Sequence, residues 1–341
     1  MILTLASKLY GAAASWRRQW YGDPGRSRRL SQPVVSIGNL RAGGTGKTPT
    51  VAHIARLLMA RDERPVILTR GYARPSRTPG VTVVSDRSRV LATFDMAGDE
   101  PLMLARALPG VPVLVGADRY ASGRLAEERF DATVHLLDDG FQHVGLSRDV
   151  DLLMVSEEDL TDHVLPAGRL REGLAAAGTA DALLVTAGYE SAAVRVGRAL
   201  GVSTAFLVSR AIGPPYMIAS HDSVVVPSGE RVFAIAGIAR PERFFADMAN
   251  AGWVVAGSLT FRDHHRFTQQ DITRITDQAI SARVAIVLTT EKDAVRLAAC
   301  NLTGVPIAAV PLTVTIDPGE AFASWLFARL SRARSTLHRE R

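Results

Sequence analysis

The chain is short of the residues that several familiar explanations require. It has a single cysteine, Cys300, in 341 residues, so an intramolecular disulfide framework and a multi-cysteine metal site are both excluded, and a reducing compartment such as the cytosol is expected. No apolar run approaches the roughly 18 residues of a bilayer-spanning helix. There is no RNP-type aromatic motif and no zinc knuckle. The most informative scarcity is lysine. Only Lys8, Lys47 and Lys292 occur among 40 lysines and arginines. In a chain that defaults so strongly to arginine, a retained lysine marks a place where a compact ammonium is expected.

What is present is ordinary for a globular protein, with 47% hydrophobic and 22% charged residues, and the length suits two domains or one large α/β unit. The formal net charge of +6 raises the question of an anionic partner. The excess is scattered, however, into Arg17-Arg18, the stretch from Arg26 to Arg29, and a tail from Arg332 to Arg341, and no nucleic-acid partner is expected. Met1 to Ala6 resembles a targeting segment only briefly, because Lys8 interrupts it and no positive region precedes it. As a helix, residues 1–22 place Leu5, Leu9, Ala12, Trp16 and Trp20 near one face beside Arg17 and Arg18. That pattern suits a membrane interface. It equally suits packing on the chain's own domain, and the segment alone does not separate the two.

From Pro33 onward, short apolar strands alternate with helical stretches, the pattern of a mostly parallel sheet flanked by helices. Strands are expected at residues 34–37, 65–69, 111–115, 133–137, 152–155 and 183–186, nearly all continuously apolar, as strands buried on both faces are. The rhythm breaks at residues 209–229, which carry Gly213-Pro214-Pro215 and Pro227-Ser228-Gly229 and read as a domain junction. A kinase-sized first domain is thus expected over residues 23–208 and a smaller α/β domain over 230–330. The arginine-rich end, 331–341, is expected to fray.

Three motifs carry chemistry. Gly43-Gly44-Thr45-Gly46-Lys47-Thr48 follows a strand and opens a helix, where backbone N–H groups gather around phosphate oxygens, a lysine neutralises charge and a threonine hydroxyl reaches Mg²⁺. The usual spacing demands glycine at position 41, and this chain has Arg41. The partitioning-type variant demands lysine where Ala42 stands. A P-loop NTPase-like fold with an altered loop is therefore expected. Asp138 and Asp139 end a strand where such folds hold their metal. Adjacent carboxylates point apart, so one is expected at the metal and the other on a structural or catalytic partner. Asp99, in Gly98-Asp99-Glu100-Pro101, is open to two readings, a helix cap or the base that accepts a proton from an attacking hydroxyl. In the second domain, Arg262-Asp263-His264-His265 is the densest polar cluster, and one of its histidines is expected as a proton relay or phosphate contact. Lys292 has a plain reading as a salt-bridge partner.

Together, Ser36 to Leu40, Gly43 to Pro49, Arg70-Gly71-Tyr72, Gly98 to Pro101, Asp138 to His143, Pro166 to Glu172, Asp263 to His265 and Thr290 to Leu297 resemble the tetraacyldisaccharide 4'-kinase family of lipid A biosynthesis, over about residues 10 to 325. The resemblance implies transfer of the γ-phosphate of ATP to the 4'-hydroxyl of a lipid-linked glucosamine disaccharide at the cytoplasmic face of the inner membrane, by a peripheral and monomeric enzyme. It also implies that the loop normally lacks its first glycine. By motif, Lys47 and Thr48 would meet phosphates and Mg²⁺, with Asp138, Asp139 and Glu172 around the metal. Asp99 and His264 would form the dyad that activates the hydroxyl, with His264 reaching in from a closing second domain. Glu100, Arg119, Gln142, His143 and Arg171 would line or support the site. The rival from another class is a regulatory NTPase of the partitioning or metal-chaperone type.

Overall fold

The structure is a computed structural model, which describes residues 2–339 apart from 24, 44–45, 72–73, 75–78 and 190. Its frame is a nine-stranded sheet. In chain order the contributing strands are β1 (Val34–Asn39), β2 (Pro65–Thr69), β3 (Thr82–Ser85), β4 (Val113–Val115), β5 (Val134–Asp138), β6 (Val150–Ser156), β7 (Ala182–Thr186) and β8 (Ala205–Ile212). A second sheet holds β9 (Tyr216–Met217), β10 (Arg231–Ala236), β11 (Val254–Thr260), β12 (Val287–Thr290) and β13 (Ile307–Val310), after which β14 (Leu312–Asp317) returns to the first. The spatial orders are β14-β8-β7-β6-β1-β5-β2-β4-β3 and β11-β10-β12-β13-β9. Only the edge strands β3, β14 and β9 run antiparallel to their neighbours.

Helices cover the faces: α1 (Ile2–Gly22), α2 (Lys47–Met59), α3 (Phe94–Ala97), α4 (Asp99–Ala107), α5 (Arg119–Arg129) and α6 (Ser191–Leu200) precede the second sheet's α7 (Pro241–Asn250), α8 (Gln269–Ser281) and α9 (Glu291–Leu297). The last, α10 (Gly319–Arg339), packs on the first sheet. Strands β1, β2 and β5 are buried along their whole length, which is why their sequences do not alternate. In register, Ile37 of β1 lies beside Asp138 of β5, so the chain leaves β1 into the glycine loop at the same sheet edge where β5 delivers its two acids. Ligands of open parallel sheets gather at that edge.

Three expectations are corrected. The sheet gains β3 and β8, which are short or half-exposed and so lack the apolar run that marks a central strand. The junction is narrower than residues 209–229, because β8 continues to Ile212 and β9 already belongs to the second sheet. The largest correction is at the end of the chain. Residues of β14 and α10 belong to the first unit, not to a second domain ending at 330. Thr313 pairs with Ala211 and Ile316 with Val208, while Phe322, Leu326 and Leu330 enter the core around β1 and β6. The tail does not fray over its described residues. Its arginines hide an apolar stripe continued by Ala333 and Leu337, and Arg334 bonds both oxygens of Glu63 at 2.7 and 2.8 Å. Glu340 and Arg341 lie outside the described residues.

Candidate active site

The two sheets face each other across a cleft of about 990 Å³. On the first wall, Gly46 takes φ 86°, a left-handed conformation that glycine adopts without strain, and turns the loop into the N-terminus of α2. Lys47 and Thr48 open that helix into the cleft. The Lys47 ammonium is held 3.0 Å from Asn39 Oδ1 and 3.4 Å from Asp139 Oδ1. Gly43 lines the cleft, while Gly44 and Thr45 lie outside the described residues, as does Tyr72. Arg41, the departure from the usual loop, is buried. Its guanidinium meets Glu158 at 2.8 Å and Asp159 and Asp162 at 3.5 Å. The glycine position is thus spent on fastening the loop to the 3₁₀ segment after β6.

Asp138 and Asp139 diverge as adjacent acids should. Asp139, at φ 55°, turns out of the strand and takes Arg171 Nη1 on both oxygens, at 2.9 and 2.7 Å. Burial opposes its charge, but Lys47 and Arg171 outweigh burial and hold its pKa below the ordinary carboxylate value. Asp138 is the contrary case. Among the described residues, its Oδ2 has only Thr69 Oγ1, at 3.3 Å, and its buried Oδ1 has no hydrogen-bond partner. Burial, then the nearby Glu100 and Asp139, push its pKa up to about 7. Gln142 bonds the Asn39 carbonyl at 2.9 Å and receives Arg171 at 3.3 Å, tying the acidic loop to the end of β1. This tight junction requires Gly38, where a Cβ would fall 2.4 Å from Phe141 Cβ.

The second wall centres on His264, held at φ 60°, a left-handed conformation uncommon for residues other than glycine. Asp263 Oδ1 accepts the His264 backbone N–H at 3.0 Å and fixes that turn. Asp99 of the first unit reaches the imidazole, with His264 Nδ1 2.9 Å from Asp99 Oδ2. Asp99 begins α4 but is not its cap, since Gly98 holds that position. Its Oδ1 accepts the Glu100 N–H at 2.9 Å. Burial opposes the charge on Asp99, but the hydrogen bond from His264 and the cations of Lys292 and Arg296 more than offset it, so its pKa is lowered. His264 lines the cleft and Asp99 stands behind it. His265 turns away, stacking on Phe261 with ring centroids 4.8 Å apart and meeting Asp271 at 3.0 Å.

Glu172, expected near the metal, gives both oxygens to Arg18 of α1, at 2.7 and 2.8 Å. Arg18 also covers the Phe141 ring and bonds its carbonyl at 3.0 Å. Arg119 and His143 do not line the cleft. Burial, with Arg70 close by, lowers Arg119 to about 10, and burial beside Arg119 lowers His143 to about 4. Sequence reading did not place Lys292, Arg296 or Arg210 in the site. The rarity of lysine was the available signal for the first. The other two are hidden among many arginines. Among the described residues, no cluster of three or more His, Cys, Asp or Glu side chains is built to hold a metal alone. The arrangement that fits a hard cation is the orphaned Asp138 oxygen together with Thr48, completed by phosphate oxygens.

The sequence profile of the tetraacyldisaccharide-1-P 4'-kinase family matches residues 1–331. The chain belongs to that family. It is 36% identical to the tetraacyldisaccharide 4'-kinase of Syntrophus aciditrophicus, with 94% of this chain and 91% of the relative covered. It is 38% identical to that of Koribacter versatilis, covering 92% and 94%. Among solved structures, it is similar to "apo" form LpxK from Aquifex aeolicus in complex with ATP, at a TM-score of 0.77 and 31% identity, covering 96% of this chain and 98% of that one.

Proposed function

We propose that the protein is an ATP-dependent tetraacyldisaccharide 4'-kinase, which transfers the γ-phosphoryl group of ATP to the 4'-hydroxyl of a tetraacyldisaccharide 1-phosphate. The observation that carries this reading is the 2.9 Å contact between His264 and Asp99 in a cleft shared with the P-loop. The loop accounts for holding phosphates, and the buried Asp99 with its histidine adds a proton acceptor for a hydroxyl nucleophile facing it. With Nδ1 committed to Asp99, His264 presents Nε2 to the cleft. The sugar hydroxyl gives its proton there as its oxygen attacks phosphorus, and the buried Asp99 carboxylate orients the ring and stabilises the imidazolium. Lys47 and the α2 N-terminus neutralise the phosphates, while Arg171 keeps Asp139 ionised beside Lys47. Asp138 and Thr48 would hold Mg²⁺, which would supply charge neutralisation for the nucleotide's phosphates. Closure of the second sheet over the cleft excludes water, the competing acceptor.

The membrane role of α1 is supported by the exposure of Leu3, Leu5, Leu9, Trp16 and Trp20 along one helix whose Arg17 and Arg18 are anchored to the acidic loop. No described helix is long and apolar enough to cross a membrane. In this reading the helix lies in the interface at the cytoplasmic face of the inner membrane, letting acyl chains stay in lipid while the sugar reaches the cleft. The deciding test is incubation with γ-labelled ATP and disaccharide 1-phosphate lipid in mixed micelles. Label on the lipid is expected. Brisk ATP hydrolysis with no labelled lipid would point to the regulatory NTPase instead.

A further inference from the structure

Two of the three lysines face each other across the cleft. Lys47 belongs to the glycine loop, and Lys292 comes from the second residue of α9 on the opposite wall. Lys292 Nζ lies 3.2 Å from Glu100 Oε1, 3.8 Å from Asp263 Oδ1 and 3.9 Å from Asp99 Oδ2. Burial opposes its charge, but those three carboxylates outweigh burial and raise its pKa, so it is an ammonium throughout the working pH range.

The neighbouring Arg296 makes the contrast that identifies a role. Arg296 also stands 3.9 Å from Asp99 Oδ2, but it is buried and all its hydrogen bonds knit its own domain together, among them those to the carbonyls of Gly237 and His265 and the carboxylate of Asp293 at 2.8 to 3.1 Å. Asp293 in turn receives the Gly237 N–H and the Thr290 hydroxyl. The Lys292 side chain takes no part in that frame, to which the residue gives only its backbone carbonyl, bonded by Arg296 Nε at 3.3 Å. Two of its three ionic partners, Asp99 and Glu100, are on α4 of the first unit, and the third, Asp263, adjoins the dyad histidine. It is a cation parked on carboxylates around a gap. Glu100, its hydrogen-bonded partner, lines the same cleft as Asp138 and Asp139, so the gap between Lys292 and the acidic loop is the space a transferring group would cross.

We infer that Lys292 is a second phosphoryl-binding cation of this enzyme, supplied by the small domain opposite Lys47. The inference rests on the kinase reading. In the transfer, the bond from γ-phosphorus to the β,γ-bridging oxygen breaks and its electron pair stays on ADP. The bond from phosphorus to the sugar oxygen forms, and the hydroxyl proton passes to His264. Lys292 exchanges no proton. Its ammonium moves from Glu100 to the equatorial oxygens of the phosphoryl group, where charge is spread in the transition state. A flexible point charge with three donors suits that movement better than a guanidinium fork, which accounts for lysine here in an arginine-rich chain.

The test compares Lys292→Met and Lys292→Arg with the parental enzyme, using ATP and ATPγS as donors and the disaccharide 1-phosphate lipid as acceptor. Label transfer by the parental enzyme checks the kinase reading by itself. If Lys292 contacts the phosphoryl oxygens, Lys292→Met lowers kcat by about 10²-fold or more while ATP affinity stays within about threefold. The ratio of rates with ATP and ATPγS changes as well, and Lys292→Arg recovers only part of the loss. Because Arg296 and Asp293 hold the local frame, the thermal midpoint is expected to stay near the parental value. The inference is overturned if Lys292→Met transfers at nearly the parental rate. It is equally overturned if the rate falls while the ATP/ATPγS ratio is unchanged, since a purely structural or Asp99-supporting role would leave that ratio alone.

Discussion

Asp99 and Asp138 are each 3% exposed, yet their pKa values move in opposite directions. The surroundings of Asp99 are complete within the protein. His264 bonds it, and Lys292 and Arg296 stand 3.9 Å from the same oxygen. The surroundings of Asp138 are unfinished, with one buried oxygen unpartnered and two other carboxylates nearby. Equal burial therefore has two meanings. On the dyad wall, the protein compensates its own carboxylate, which in the proposed function would fix the proton acceptor before substrate arrives. On the phosphate wall no such compensation is built in, and in the proposed function bound Mg·nucleotide would supply it.

The comparison is broken most severely at the cation that serves the unfinished wall. Lys47→Ala is expected to lower kcat/KM by at least about 10³-fold, or about 4 kcal/mol of transition-state stabilisation, and to weaken ATP binding as well. Transfer assays and nucleotide titration measure the two effects separately. On the other wall, Asp99→Asn and His264→Ala should each lower kcat by about 10²- to 10³-fold and leave ATP affinity within about threefold, because neither residue belongs to the phosphate wall. As members of one unit they should not add. A double variant that falls by the product of the single losses would mean that they act separately.

A thermodynamic version of the comparison needs no substrate. A carboxyl whose pKa rises from 3.8 to about 7 on folding favours the native state fully below its unfolded value, and that benefit is lost as pH rises through about 7. Relative to a group that does not titrate, an ionised Asp138 costs the nucleotide-free protein about 4 kcal/mol at pH 8. Asp138→Asn removes that cost but buries an amide with few partners, so a net gain of about 2 kcal/mol is expected at pH 8, shrinking to near zero at pH 5. Urea unfolding in EDTA at the two pH values measures it. Asp99 has the opposite sign. Its depressed pKa stabilises the fold above the ordinary carboxylate value, and that support disappears as pH falls through the lowered one, so Asp99→Asn should destabilise at neutral pH.

This contrast was only half legible in the sequence. The parallel sheet, the glycine loop and the positions of Asp138 and Asp139 could be read because each is local. An apolar strand, a turn and a helix start follow one another within a few residues, and the fold brings β1 and β5 into register. The contact between Asp99 and His264 spans 165 positions. Nothing local encodes it, and it entered through family resemblance. The opposite titration of two buried aspartates was not legible, because it depends on His264 and on the α9 cations Lys292 and Arg296, which only the fold brings to Asp99. The end of the chain was misread for a related reason. High arginine content in α10 resembles a solvated tail, while the apolar residues beneath, spaced from Phe322 to Leu337, pack on a sheet whose last strand comes from β14.

The smallest effect tests whether the dyad wall depends on one histidine or on a histidine pair. His265 is next to His264 in sequence but belongs to a different environment. It stacks on Phe261, meets the edge of Phe267 at 5.1 Å and bonds Asp271, the residue that also closes the capping box of α8. Its partners are all in the small domain, and none is in the cleft. His265→Phe keeps the ring packing and gives up one hydrogen bond, a loss of about 1 kcal/mol in stability. Transfer should stay within about threefold of the parental rate, with the same pH profile. A fall approaching that of His264→Ala, in a variant whose unfolding midpoint shows it still folded, would mean that the proton leaves the cleft through His265 and that the second wall is a relay instead of a single acceptor backed by Asp99.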